Sequence, residues 1–460
     1  MHGFSSAGNT VAIDFGNSAT KIAICLGQSP PFVVPVLGLS REITCSIDPP
    51  VSVPVIPSLL RYSCNGPVWA GAEALDHGNS GSNDLIRWMV HYISVRSPAK
   101  VRIRDTLISY QEAGEAFLSQ LLTRVCEQYR ITSPRLVIAV PVDSFDYFDE
   151  WVSGFATRNG YSHIHLIDEP TAVALSCCPD IRPGDPFLFF DFGGDSLEVS
   201  VAALMNDGSG PRCRLLGHAV EQVGGAQIDQ WLCSEVIKRA GFRENITDLF
   251  SILLPECERA KEILSATHEA AVKLPGKDPV LVTRDEFETL LSENAFYSRI
   301  NAVIERALAS AFARGYTESS ISAVISAGGG SAIPSVRALL CKRFGRERIS
   351  THTPVDAVVM GAASADRKYP GEIRIRNEYA LRVWDARSAA YTLRTIIRRG
   401  SLYPSEGPVA RFRIQGTYDG QTQLGIPVYE VPSGRCTRDA GRHRELVIQS
   451  SGVIRCNDTS

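Results

Sequence analysis

The 460-residue sequence has no C-x-x-C pair, no apolar run near the roughly 20 residues that cross a bilayer, and no large excess of either charge. Each absence removes a class of function. Twelve scattered cysteines, with Cys177 and Cys178 adjacent, offer neither zinc-ligand spacing nor an ordinary disulfide framework. Reduced thiols acting as small buried hydrophobes are expected. Forty-seven basic residues against fifty acidic ones leave a net charge of −3, which gives no electrostatic case for direct nucleic-acid binding or for a membrane surface. Met1 to Thr10 lacks the basic-then-apolar pattern of a secretory leader, so the expected location is cytoplasmic. The composition is that of an ordinary soluble chain too long for one small core, and two or three domains are expected.

One phrase occurs twice. The first copy runs Ile13-Asp14-Phe15-Gly16-Asn17-Ser18-Ala19-Thr20-Lys21-Ile22-Ala23-Ile24. The second runs Phe190-Asp191-Phe192-Gly193-Gly194-Asp195-Ser196-Leu197-Glu198-Val199-Ser200-Val201. Each reads as an apolar strand ending at an acid, a tight turn of small residues, and an alternating strand running back. Small residues at a hairpin tip let backbone N–H groups approach a phosphate closely. An acid at the strand end can hold the water shell of Mg²⁺, which takes one or two carboxylates plus phosphate oxygens. Two such hairpins in opposite halves imply two related lobes closing on one nucleotide.

The organisation between them is α/β. Apolar residues recur at helical spacing from Gln111 to Tyr129, and Leu136 to Pro141 reads as a strand buried on both faces. A helix follows to Asn159 with Gly160 as its stop; then come a buried strand over Ile164–Ile167 and a helix opened by Glu169-Pro170-Thr171. The second half repeats the plan. Its hairpin at 187–203 leads to Val223-Gly224-Gly225 and a helix to about Ala240. Helices are expected from Pro255 to Thr267, over 295–314 and from Pro334, with a buried strand at Ala323–Ser326 that runs into Gly328-Gly329-Gly330. After about Ala365 the pattern changes to short alternating segments split by Gly, Pro and Asp, including Ile373–Arg376, Arg411–Ile414 and Leu446–Ile448, as in a small all-β module.

Taken in order, these pieces resemble the seventy-kilodalton heat-shock chaperone family: an actin-like ATPase of two ribonuclease-H-like lobes followed by a short β-sandwich. Further matching segments are Leu136–Pro141, the connector Ile167–Ala174, Glu258-Arg259-Ala260-Lys261 with Ser265, Gly328–Pro334 and the closing connector Pro354–Ala363. The resemblance implies a nucleotide-binding domain over 1–366, a linker over 367–376 and a truncated substrate-binding-like β-sandwich over 377–460. It implies ATP or ADP with Mg²⁺ as cofactors. Asp14 and Asp191 would hold water on the metal, and Glu169 would order that shell or the attacking water. Gly16, Asn17, Ser18 and Ala19, with Gly193, Gly194, Asp195 and Ser196, would line the phosphates, and Gly224-Gly225 would form the turn beyond. Glu258, Lys261 and Ser265 would meet the adenosine, with Gly328, Gly329 and Gly330 opposite. The implied partners are a J-domain co-chaperone, a nucleotide exchange factor and unfolded or nascent polypeptide, including polypeptide at the ribosome.

The departures are as informative. Asn17-Ser18-Ala19 replace the family's Thr-Thr-Tyr, while Asp195, Ser196 and Glu198 replace a glycine, a threonine and an aspartate. Asp195 puts an acid at a phosphate-facing turn. Ile86 stands where the family positions its attacking water with a lysine, leaving neighbouring Arg87 as the candidate catalytic cation, although its fork is no copy of a compact ammonium. Glu262 and Ala332 replace two arginines that sandwich adenine. The linker-like Glu372–Asn377 alternates arginine with isoleucine. The chain stops at Ser460, where the family continues into a helical lid, and so resembles atypical ribosome-associated members paired with a J-protein. The reading is therefore an ATP-binding chaperone or co-chaperone that assists folding, with weak or absent hydrolysis. The alternatives are a fully active peptide-binding chaperone, a sugar-type kinase of the same fold, because the Asp14–Lys21 opening also resembles that class, and a filament-forming actin relative.

Overall fold

The computed structural model describes residues 8–45, 51–63, 66–77, 84–141, 146–161, 163–177, 181–205, 212–242, 246–350, 352–368, 373–374, 378–385, 389–398, 401–403, 426–431 and 444–448. The chain divides into two compact units: residues 1–371, apart from 143–146, and residues 372–460 together with that short segment.

The first unit is built on two sheets that share one plan. In the first sheet Thr10–Phe15 lies between a parallel neighbour, Arg135–Val140, and its hairpin partner, Ala19–Cys25. Ile164–Asp168 extends the parallel side; Val51–Pro57 and Arg41–Cys45 extend the antiparallel side. In the second sheet Pro186–Phe192 lies between parallel Ala323–Ala327 and its hairpin partner Leu197–Met205, followed by Arg212–Glu221. Each central strand is thus flanked by a hairpin return on one side and a crossover strand on the other. The buried strands are continuous apolar runs because helices cover both faces.

Alternation along each central strand gives the repeated phrase its physical sense. Phe15 turns into the first core against Phe117, ring centroids 5.4 Å apart. Phe192 turns into the second against Phe296 at 5.5 Å. The preceding acids therefore point to the other side. A third apolar cluster joins the sheets through two helices, Glu169–Cys177 and Ala357–Lys368. These are the two connectors read from the sequence. They cross so closely that a Cβ on Gly361 would lie 2.0 Å from the Ala172 carbonyl oxygen.

The helices at Tyr110–Gln128, Asp146–Arg158, Gly225–Arg239, Phe296–Phe312 and Pro334–Phe344 match the periodicity. The helix expected from Pro255 instead spans Ile246–Ala266 with Pro255 inside it. Its apolar residues Leu249, Leu253, Cys257, Ala260 and Leu264 stay in the core on both sides of the proline, so tertiary burial overrides the break. The helix Arg284–Glu293, announced by a Thr283–Glu286 capping box, was not anticipated.

In the second unit, Ala390–Ile397, Glu378–Asp385, Ile426–Val431 and Arg444–Ile448 form one antiparallel sheet, and Ile373–Arg374 pairs with Leu402–Tyr403. The segment 411–414, read as a strand, lies outside the described residues. Among the described cysteines, seven are free. Among the described residues no helix is long and apolar enough to cross a membrane.

Candidate functional site

The two hairpin tips meet. A Cβ built on Gly194 would lie 1.8 Å from Ser18 Oγ, so the second turn can approach the first only because residue 194 has no side chain. The tips are held from behind. Ser58, fully buried, donates its hydroxyl to the Gly16 carbonyl at 2.7 Å, lies 2.9 Å from Thr20 Oγ1, and donates its N–H to the Ser18 carbonyl at 3.0 Å. The second tip is tied to the helix that follows it: the N–H groups of Gly225 and Ala226 donate to the carbonyls of Gly193 and Gly194 at 3.0 and 2.8 Å. Gly224 packs directly under this turn, where a Cβ would lie 2.5 Å from backbone atoms of Gly194 and Asp195. Among the described residues, no backbone carbonyl accepts from the N–H groups of Asn17, Ser18, Gly194 or Asp195. Donors of this kind at two facing turns suit a phosphate chain.

Behind the tips the acids converge on one ammonium. Lys21 stands directly opposite Asp14 in the hairpin register, with Nζ 2.9 Å from Asp14 Oδ2 and both side chains close to 90% buried. Burial opposes the Lys21 charge, but Asp14, Asp191 and Glu169 outweigh it and hold its pKa above the ordinary value. Burial and the neighbouring acids push the Glu169 carboxyl well above its ordinary range. Burial also raises Asp191 to about 6, against the opposing pull of Lys21. In the second hairpin the residue opposite Asp191 is Glu198, buried, 3.6 Å from His218. Lys21 and Glu198 are parts of the site that the motif reading did not assign. The signal was present, because a hairpin register fixes which residue faces the acid.

The residues fit Mg²⁺ in their chemistry. Asp14, Glu169 and Asp191 are hard oxygen donors whose repulsion a cation would relieve. Among the described residues no three such side chains form a direct cage.

The departures have local accounts. The Asp195 carboxylate lies 3.4 Å from His91 Nδ1, and the Asn17 side chain accepts the His91 N–H at 2.7 Å. Ile86 is buried in the first core, and the charges acting on Arg87 are those of Glu258 and Arg61; burial lowers its pKa. The cation among the acids is thus Lys21. On the adenosine side, Lys261 is held by Asp229 at 2.8 Å and by the Gly225 carbonyl at 3.1 Å, and Ser265 donates to the Lys261 carbonyl. Burial raises Asp229 to about 7 despite this lysine. Glu262 receives both ends of the Arg41 guanidinium at 2.6 and 2.8 Å, and Glu258 lies 3.3 Å from it. That fork ties the edge strand of the first sheet to the helix beside the second. Gly328, at φ +78°, packs on the Phe192 carbonyl and Asp191, and Gly330 on the Phe192 ring, while a Cβ on Gly329 would meet open space.

The protein-family model described as Hsp70 protein matches residues 95–383, more than half of the chain. The chain belongs to the Hsp70 family. It is 27% identical over 291 residues to the chaperone protein DnaK of Thermus thermophilus, covering 60% of this chain and 46% of that protein. It is 28% identical over 360 residues to the heat shock 70 kDa protein BIP3 of Oryza sativa, covering 74% and 50%. It is 22% identical over 405 residues to a chaperone protein HscA homolog of Aromatoleum aromaticum, covering 82% and 63%. This Hsp70-family chain spans about half the length of the curated relatives it matches. Its two-lobed actin-like ATPase fold agrees with the family.

Proposed function

We propose that this Hsp70-family chain binds ATP or ADP between the two hairpins and hydrolyses ATP slowly, acting as a chaperone or co-chaperone rather than as a fast independent cycler. The observation that supports it most is the facing pair of hairpin tips, joined at Ser18 and Gly194, with Asp14, Glu169 and Asp191 behind them. Bound Mg²⁺ would supply charge neutralisation for phosphoryl transfer. Asp14 and Asp191 would hold its waters, and Glu169 would orient them. The tip N–H groups would fix the phosphates. Lys261, Ser265 and Glu258 would face the adenosine, opposite Gly328–Gly330. Slow turnover follows from Ile86, a buried aliphatic side chain at the position of a water-positioning lysine, and from Asp195, which adds negative charge beside the phosphates. The partners that fit this reading are a J-domain co-chaperone, a nucleotide exchange factor and unfolded or nascent polypeptide.

Gly329→Val gives the cleanest test. Gly329 meets nothing and needs no left-handed backbone, so a side chain there leaves the fold intact and fills only the cleft. Calorimetric titration with ADP should show binding by the wild type and at least about a tenfold loss, roughly 1.4 kcal/mol, in the variant. Equal affinity would remove the adenosine site from this cleft. Phosphate release measured with and without a J-domain protein then tests the rate, and turnover at the pace of an ordinary family ATPase would overturn the slow-hydrolysis reading.

A further inference from the structure

Resting on the nucleotide reading above, we propose that Lys21 is a built-in cation of the phosphate site, one that lets this chain hold nucleotide with little dependence on a divalent ion. Three observations carry it. The hairpin register places Lys21 across from Asp14, with its Nζ 2.9 Å from Asp14 Oδ2 and 11% of its side chain exposed. The ammonium sits in the combined field of Asp14, Asp191 and Glu169, the three acids that bound Mg²⁺ would otherwise have to neutralise alone. An ammonium has three donors, and among the described residues one is taken, by Asp14. Its other two donors remain for an anion entering between the tips.

Among the described residues, the cations nearest the two hairpins are otherwise engaged, His91 with Asp195 among them. Ile86 is apolar and buried, Arg87 is subject to Glu258 and Arg61, and Lys261 is committed to Asp229 and Gly225. The second hairpin offers Glu198 at the equivalent register position, so the first hairpin alone supplies positive charge. A lysine is suited to this. Its compact ammonium approaches phosphate as a point charge, and in a buried setting its attraction is much less screened than in water. The competing account is that Lys21 merely neutralises Asp14 and stabilises the fold.

Titration of the purified chain with ADP, from millimolar free Mg²⁺ down to excess chelator, separates the two. The wild type should lose less than about tenfold in affinity on chelation, while Lys21→Met should lose at least about a further tenfold. A wild type that binds tightly in Mg²⁺ but not measurably in chelator would overturn the proposal and leave the nucleotide reading standing. A Lys21→Met chain with the wild-type Mg²⁺ dependence would overturn it equally. Absence of ADP binding under every condition would overturn both readings. Because the wild-type titration needs no variant, the result is decidable even if Lys21→Met fails to fold.

Discussion

Replacing Asp191 with asparagine should make the protein more stable, but only above about pH 4, and most of all above about pH 6. The native Asp191 carboxyl is raised from its ordinary 3.8 to about 6, chiefly because burial penalises its charge. Below about pH 4 both native and unfolded chains hold the proton, so this residue contributes no difference. Between about 4 and 6 the unfolded chain releases a proton that the native site keeps, and native stability falls as pH rises. Above about 6 the whole cost is present: about two units at about 1.4 kcal/mol each, or about 3 kcal/mol. Asparagine keeps the shape and removes the charge. Thermal unfolding in chelator, at pH 5 and pH 8, should show the variant's advantage growing to a few degrees at the higher pH. A variant less stable than wild type at pH 8, or one whose advantage is the same at both values, would show that Lys21 already compensates the Asp191 charge in full.

Three further outcomes follow from the site. Arg41→Ala should speed release of labelled ADP by about threefold to tenfold, because the partly exposed fork to Glu262 contributes on the order of 1 kcal/mol to keeping the two sheets tied; unchanged stopped-flow release would deny it that role. Asp195→Gly should tighten ADP binding by at least about threefold in calorimetry, since it removes an acid beside the phosphates. Lys261→Met should lower stability by about 3 kcal/mol by stranding the buried Asp229, and adding Asp229→Asn should recover most of the loss in denaturant melts.

Much of this was legible in the sequence because it is local. The hairpins, the strand Arg135–Val140 and the first connector helix announce themselves through short runs whose pattern needs no tertiary context, whereas the second connector enters only through the family resemblance of Pro354–Ala363. The start of the helix Ile246–Ala266 was not legible, because a proline usually marks a first turn and only the packing of Leu249 and Leu253 carries the helix past it. Lys21 was in plain view inside the motif. Its role follows from the hairpin register, which sets it opposite Asp14, and not from the turn residues that define the motif. Arg41 and Glu262 lie 221 residues apart, and nothing in either neighbourhood names the other. Ser58 is similar: the run Val55–Leu60 reads as a strand that gives its serine no role, yet Ser58 is the fully buried prop of the first tip.

The opposed register positions have a consequence for how this sequence can drift. Lys21 and Glu198 occupy matching places in two hairpins built to the same plan, one bringing a positive charge and the other a negative charge into neighbouring parts of one enclosed space. The two halves are therefore no longer interchangeable, whatever symmetry their strand order retains. A change of charge at 21 alters the balance that residue 198 must satisfy, 177 positions along the chain. Among relatives of this protein the two sites should change together, and one that has lost the lysine should show a compensating loss of acid in the other half or a stricter demand for metal.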